Sequence, residues 1–282
     1  MLNALSAEAL KMRTHKATWF LVWLYPILFT ILFLIAITVG LFGGDPPEQS
    51  TLADWIDETA MIWNVPGNSV GRYLMAAFVA VVFAGEYGWN TWKLIVPHRA
   101  RAALIASKYV LVLILFTVTF ILTGLISIIG TWADDTLTGD TIPAGITAAG
   151  LLRAHWIGYV AALGPILVTM AYASLAAILT RSTIAALVIA IVVTTIEQIV
   201  FNLGPVLSIN FPAVTHFLYN LLPGYHLGNL DSWLSEGSAY RGEFPSGRVV
   251  ALPWTTSLGV VAAWIAALVT ATFAAFKRQD IN

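Results

Sequence analysis

An all-α membrane protein with six transmembrane helices is the fold class the sequence predicts, and three observations predict it. Of 282 residues, 59% are hydrophobic and only 10% are charged, against about a quarter charged in a soluble domain whose surface must face water. Mean hydropathy is +0.81. The charges are also segregated, leaving uncharged runs long enough to cross a hydrocarbon core of about 30 Å, which takes roughly 20 helical residues at 1.5 Å each.

A soluble protein is thereby excluded, and the net charge of −1 carries little information because it sums separated clusters. Cysteine is absent, which removes any disulfide framework, thiolate metal site or Cys nucleophile. No low-complexity tract, linker or internal repeat divides the chain, so residues 1–282 are expected to form a single transmembrane domain. The uncharged run from Ala17 to Gly44 exceeds the roughly 7–15 residues of a secretory signal core. It is expected to be an uncleaved first span.

The spans are expected at about 19–42, 70–94, 109–132, 156–180, 183–203 and 250–276. Four are free of charge. The second holds Arg72, Glu86 and Lys93 and the fifth holds Glu197, and each such charge needs company, since a lone one in lipid costs at least about 2.5 kcal/mol. Residues 204–249 form an external segment. Its uncharged part carries Pro205, Pro212 and Pro223, three lost backbone donors that lipid cannot replace. Re-entrant or interfacial short helices before the last span are expected instead of a seventh crossing.

Orientation follows from Lys and Arg. With both termini cytoplasmic, Lys11, Arg13, Lys16, Lys93, Arg99, Arg101, Lys108, Arg181, Lys277 and Arg278 lie inside, and only Arg72, Arg153, Arg241 and Arg248 lie outside. Asp45, Glu48, Asp54, Asp57, Glu58, Asp134, Asp135, Asp140, Asp231, Glu236 and Glu243 are external. A seventh span would turn Lys277 and Arg278 outward. Arg181 and Ser182 alone join the fourth and fifth spans, a tight hairpin. Trp19, Trp23, Trp132, Trp156 and Trp254 sit near span ends, where aromatic belts form.

Residues 2–17 are expected to form an N-terminal interfacial helix, with Leu2, Leu5, Ala9 and Met12 on one face and Glu8 and Lys11 pointing away. A plain basic anchor is the other reading of this segment. Between the second and third spans, Glu86, Asn90 and Lys93 stand at i, i+4 and i+7, one polar stripe leaving the bilayer. Trp89 and Trp92 lie on another side, Gly85 and Gly88 allow a bend, and Pro97 ends the element. Such a short, polar-faced helix suits a lever that receives force from a soluble partner. It also suits an ordinary charged helix end.

The segment resembles the signature of the ABC-2-type exporter permeases: a second-helix Glu, a Gly-Thr four or five residues on, then Pro, Ser-Arg and a Lys opening the third helix. Glu86, Thr91, Pro97, Arg99 and Lys108 match, while Asn90 stands where the family has Gly and His98 where it often has Ser. The order of parts resembles the family over nearly the whole chain. The resemblance implies an exporter subunit of the plasma (inner) membrane of a prokaryote. Two permease chains, identical or homologous, would pair with two ABC ATPase subunits, which dock on Glu86, Tyr87, Asn90, Thr91, Lys93 and Arg99. The chain has no Gly-x-x-x-x-Gly-Lys-Ser/Thr loop, so ATP and Mg are expected on the partner subunit and no cofactor on this chain. Membrane lipid is the other expected partner; no role with nucleic acid is.

Counting from Arg181, Glu197 lies roughly 24 Å across the membrane, and Arg72 enters from the outer side at a similar depth. The two are expected to form an ion pair near an outer gate of the translocation path, since the second and fifth helices line that path in the resembled family; Arg153 is the rival partner. Glu86 lies only about 21 Å from Arg72 along a straight helix, and is expected to meet Lys93, Arg99 or Lys108 at the inner surface. An intramembrane metal-dependent hydrolase using His155, His216, His226 and Glu197 is an alternative. It lacks a His-Glu-x-x-His spacing, so no metal ligands or catalytic residues are expected. A non-transporting scaffold subunit is a third. The substrate is not legible beyond an amphipathic character.

Overall fold

The computed structural model describes residues 2–43, 49–88, 92 and 100–279. In chain order these form α1 (Leu2–Thr14), α2 (Lys16–Gly43), α3 (Leu52–Ala60), a 3-10 helix (Met61–Gly67), α4 (Ser69–Gly88), α5 (Arg101–Thr138), α6 (Ala148–Thr180), α7 (Thr183–Leu207), α8 (Pro212–Leu221), α9 (Pro223–Ser235), a two-residue ribbon β1 (Gly242–Glu243) with β2 (Val249–Val250), and α10 (Trp254–Arg278). Among the described residues six helices are long and apolar enough to cross a membrane: most of α2, and α4, α5, α6, α7 and α10. The protein is an all-α membrane protein.

The spans outlast the lipid in several places. α5 has 38 residues, about 57 Å at 1.5 Å each, and takes in both Lys108 and the acidic turn at Asp134 and Asp135 that were expected beyond the span. It stops where Gly139 enters the left-handed region at φ 88°, conformational ground that only Gly occupies freely. α6 begins at Ala148 under a Thr147 cap, so more than half of the connection between the expected third and fourth spans is helix. Hydropathy marks where lipid ends, and a helix need not end there. α7 likewise runs through Pro205 to Leu207, because a proline near a helix end costs few hydrogen bonds. Conversely α10 starts at Trp254, four residues late, since Val250 pairs across the ribbon with Gly242 and Pro253 precedes the helix.

Pro212 and Pro223 open helices rather than break them. Each sits at the first position of α8 or α9, where its missing N–H is one of the orphans anyway. Between them Leu222 is extended, at φ −78° and ψ 148°, as the residue before a proline prefers. The expected broken pair of short helices is therefore present. The fourth-to-fifth hairpin is also present: Arg181 adopts φ 54° and Ser182 caps α7 by accepting from the Ala185 N–H.

α4 and α6 are the most enclosed spans, while α2, α7 and α10 show broad apolar faces outward. Trp19 and Trp23 of α2, Trp132 of α5, Trp156 of α6 and Trp254 of α10 are all exposed. At one end α3 and the 3-10 helix pack back over α5 and α6, with the Trp55 indole N–H donating to Asp135 at 2.6 Å. The 3-10 helix then turns into α4 by an unusually close approach at Gly71. A Cβ there would lie 1.9 Å from the Val65 carbonyl oxygen, a backbone atom that cannot step aside. Gly71→Ala is therefore expected to lower stability by about 1–3 kcal/mol, the usual cost of overpacking, read as a lower unfolding midpoint in detergent. An unchanged midpoint would show that the 3-10 helix is loosely seated.

Candidate functional site

Two buried ionic groupings stand out, one at each end of the bundle. At the end that carries both termini, Lys108 of α5 is fully buried, as is Glu86 of α4. Lys108 Nζ donates to Glu86 at 3.0 Å, to Glu8 of α1 at 3.2 Å and to the Val82 carbonyl at 2.9 Å. Lys11 of α1 also bonds Glu86 and lies 3.7 Å from Glu8. Two carboxylates and two ammonium groups thus neutralise one another, with Glu8, Glu86 and Lys108 shielded from water where isolated charges could not survive.

This corrects the expected face of α1. Glu8 was expected to point away with Lys11, yet it is 5% exposed, while Ala9 faces out. The cause is Lys108: it and Lys11 both donate to Glu86, and the buried Lys108 ammonium draws a second carboxylate, Glu8, inward. Lys11 titrates low, at about 8, because it is desolvated and then because the Lys108 ammonium is beside it.

The same end is closed by the tail of α10. Arg101 donates to the carbonyls of Phe276, Lys277 and Gln279 at 3.2, 2.8 and 2.7 Å, satisfying orphan acceptors at a helix C-terminus with a cation placed where the dipole favours it. Tyr87 donates to Gln279 at 2.5 Å. Trp92 packs on Phe276 with ring centroids 4.5 Å apart, and Lys108 stands 5.3 Å over its ring. Of the residues expected to meet a soluble partner, Glu86 and Tyr87 are placed in this way. Asn90, Thr91, Lys93 and Arg99 lie outside the described residues.

At the opposite end, Arg72 and Glu197 come together. Arg72 Nη1 lies 2.5 Å from Glu197 Oε1 and Nη2 3.4 Å from Oε2, with both side chains buried. Arg72 Nε donates to Thr169 at 2.9 Å, and the Tyr172 hydroxyl donates to Glu197 Oε2 at 2.8 Å. Arg153 is exposed on α6 and is not among the partners of Glu197. The pair forms the floor of a polar cleft of about 410 Å³, whose walls include Asn64, Asn68, Gln198, Asn202 and Asp231. Asp231, on the exposed rim, has its carboxyl raised above the usual range, first by partial desolvation and then by Glu236.

Sequence reasoning missed Glu8, Lys11, Thr169 and Tyr172 as members of these groupings. Glu8 carried a signal, being the one acid before Asp45. Thr169 and Tyr172 carried none, since hydroxyl side chains are common inside apolar helices. The histidines do not converge: His226 bonds Ser257 at 3.0 Å and the Asn220 carbonyl at 2.8 Å, His155 accepts from Trp63 at 3.0 Å, and His216 faces Arg248 at 3.3 Å. No three metal-ligating side chains gather among the described residues.

A family model described as "ABC-2 family transporter protein" matches residues 4–198. The match covers more than half of the chain and spans both ionic groupings, from Glu8 to Glu197. The chain belongs to the ABC-2 transporter family. No curated protein sequence matches it. As an ABC-2 permease it is a multi-pass membrane component of a transporter and is not itself the catalyst. The family as a whole works with ABC ATPase subunits. The match ends one residue past Glu197.

Proposed function

We propose that this ABC-2 permease is the membrane half of an exporter, moving an amphipathic substrate across the plasma (inner) membrane of a prokaryote. Energy comes from ATP and Mg on separate ATPase subunits, two per complex, and a second permease chain, identical or homologous, completes the assembly. The end carrying the termini faces the cytoplasm, in keeping with its ten cations. Glu86, Tyr87, Asn90, Thr91, Lys93 and Arg99 form the docking element for the ATPase, and Arg72 with Glu197 forms a gate on the path.

The observation that carries this reading is the buried Glu8–Lys11–Glu86–Lys108 grouping. It ties the end of the second span, the start of the third and α1 into one unit, on both sides of residues 89–99. A displacement of that connection by a motor would move two spans together rather than bend a loop. The chain has no Cys, so a single-Cys Arg99→Cys chain can be labelled without altering any other position. Membrane-impermeant maleimide is expected to reach it only in inverted vesicles, and a P-loop ATPase is expected to copurify. Labelling from the periplasmic or outer face, or a pure assembly with no ATPase, would overturn the proposal.

A further inference from the structure

The polar cleft above Arg72 and Glu197 does not stand alone. A second cavity, of about 920 Å³, lies between α6, α9 and α10, and its walls are almost wholly apolar. The two cavities share Ala161 of α6 and Leu227 of α9 in their linings. The wall between them is one side chain thick on each helix. α6 and α9 meet so closely there that a Cβ on Gly164 would lie 2.7 Å from Leu227 Cδ2.

The dimensions suit an amphiphile. Along α10 the apolar cavity runs from Trp254 through Leu258, Val261 and Ile265 to Val269 and Thr270, about 24 Å of helix at 1.5 Å per residue. That exceeds one leaflet, roughly half of a 30 Å core. Trp254 and Leu258 are about half exposed, so the groove opens sideways to the bilayer at its outer end. The polar cleft supplies the opposite chemistry. Its floor is already neutral, because Arg72 and Glu197 satisfy each other. Asp231 on its rim has no cation within ion-pair distance among the described residues, and its nearest charged influence is another acid, Glu236. The cleft is therefore left with one uncompensated negative charge.

We propose that the two cavities form one lateral site for a bilayer amphiphile with a cationic ammonium head, the head held at Asp231 in the polar cleft and the tail laid along α10 past Leu227. This names the substrate class of the exporter reading and rests on it for the claim that the occupant is cargo. A bound cation would favour the ionised carboxylate and remove its like-charge conflict with Glu236. An anionic head of the same size would meet Asp231 unfavourably.

The test is binding to the full chain in nanodiscs of phosphatidylglycerol, with any copurifying partner and without nucleotide. The probes are hexadecylammonium and palmitate, with tails of equal length and heads of opposite charge. Hexadecylammonium is expected to bind about tenfold more tightly, the scale of one charge-assisted hydrogen bond. Asp231→Asn, an exposed position, is expected to erase that preference with the unfolding midpoint unchanged, and Leu258→Trp to weaken both probes by filling the groove. Equal binding of the two probes to the wild-type chain, or a preference that survives Asp231→Asn, would overturn the proposal without needing any variant to be more than soluble. In nanodiscs of phosphatidylethanolamine, displacement of hexadecylammonium assigns the site to a membrane lipid, and undiminished binding assigns it to a non-lipid amphiphile. Head selectivity without ATP-driven transport would leave this site standing and remove the exporter reading; ATP-driven transport without head selectivity would do the reverse.

Discussion

Arg72→Met is expected to destabilise the protein by about 3–5 kcal/mol, the cost of leaving a buried partner charge unpaired. Glu197 is 1% exposed and, among the described residues, keeps only the Tyr172 hydroxyl as a side-chain donor when Arg72 is gone. One neutral donor cannot replace a guanidinium that contacts both carboxylate oxygens. The double variant Arg72→Met, Glu197→Leu is expected to regain most of the loss, because a buried pair replaced by apolar groups of similar size is often neutral or better. Unfolding midpoints of the two single variants and the double in detergent measure the coupling between them. Transport separates a gate from a static tie. If the pair is a gate, the stable double variant transports poorly or leaks; if it is only a tie, the double variant transports normally. Loss of transport in Glu197→Gln with full activity in Arg72→Ala would sink the idea that the two act as a unit.

Lys108→Met is expected to have a comparable effect at the other end. Its ammonium is the fully buried hub of a four-charge grouping and makes three hydrogen bonds, to Glu86, Glu8 and Val82. Removing it takes from Glu8 and Glu86 the buried ammonium they share, and Lys11, which also bonds Glu86 and lies near Glu8, is partly exposed. Two buried carboxylates then lose a charge partner, at a cost of about 3–5 kcal/mol. α1 should also loosen, since Glu8 would have lost its reason to turn inward. The checks are the unfolding midpoint and the proteolytic sensitivity of residues 2–14. On the exporter reading, the variant should still copurify with its ATPase while substrate no longer stimulates hydrolysis. A Lys108→Met chain as stable and as tightly coupled as the wild type would show that the grouping is incidental.

The legibility of these features in the sequence was uneven, for identifiable reasons. Depth is a linear quantity along a helix, so the rise per residue placed Arg72 and Glu197 at one level before any packing was known. Which faces meet is not linear. Thr169 and Tyr172 reach the pair only because α6 packs against both α4 and α7, and no spacing in the chain announces that. The N-terminal helix was misread for the same reason. Its apolar positions suggested a membrane-surface face, whereas a buried lysine 100 residues away reversed the preference of Glu8. Span ends were misplaced wherever the helix outlasted the apolar run, as at both ends of α5.

Hydropathy and charge distribution were sufficient for the number of crossings, the tight hairpin at Arg181 and the broken helices opened by Pro212 and Pro223. The reason is local: lipid demands that each segment satisfy its own backbone, so each segment declares itself. Three-dimensional packing alone assigned partners to the buried charges and set a polar cleft beside an apolar groove. Those arrangements depend on which helix faces adjoin, and a one-dimensional pattern of apolar residues leaves the rotation of each helix about its axis undetermined.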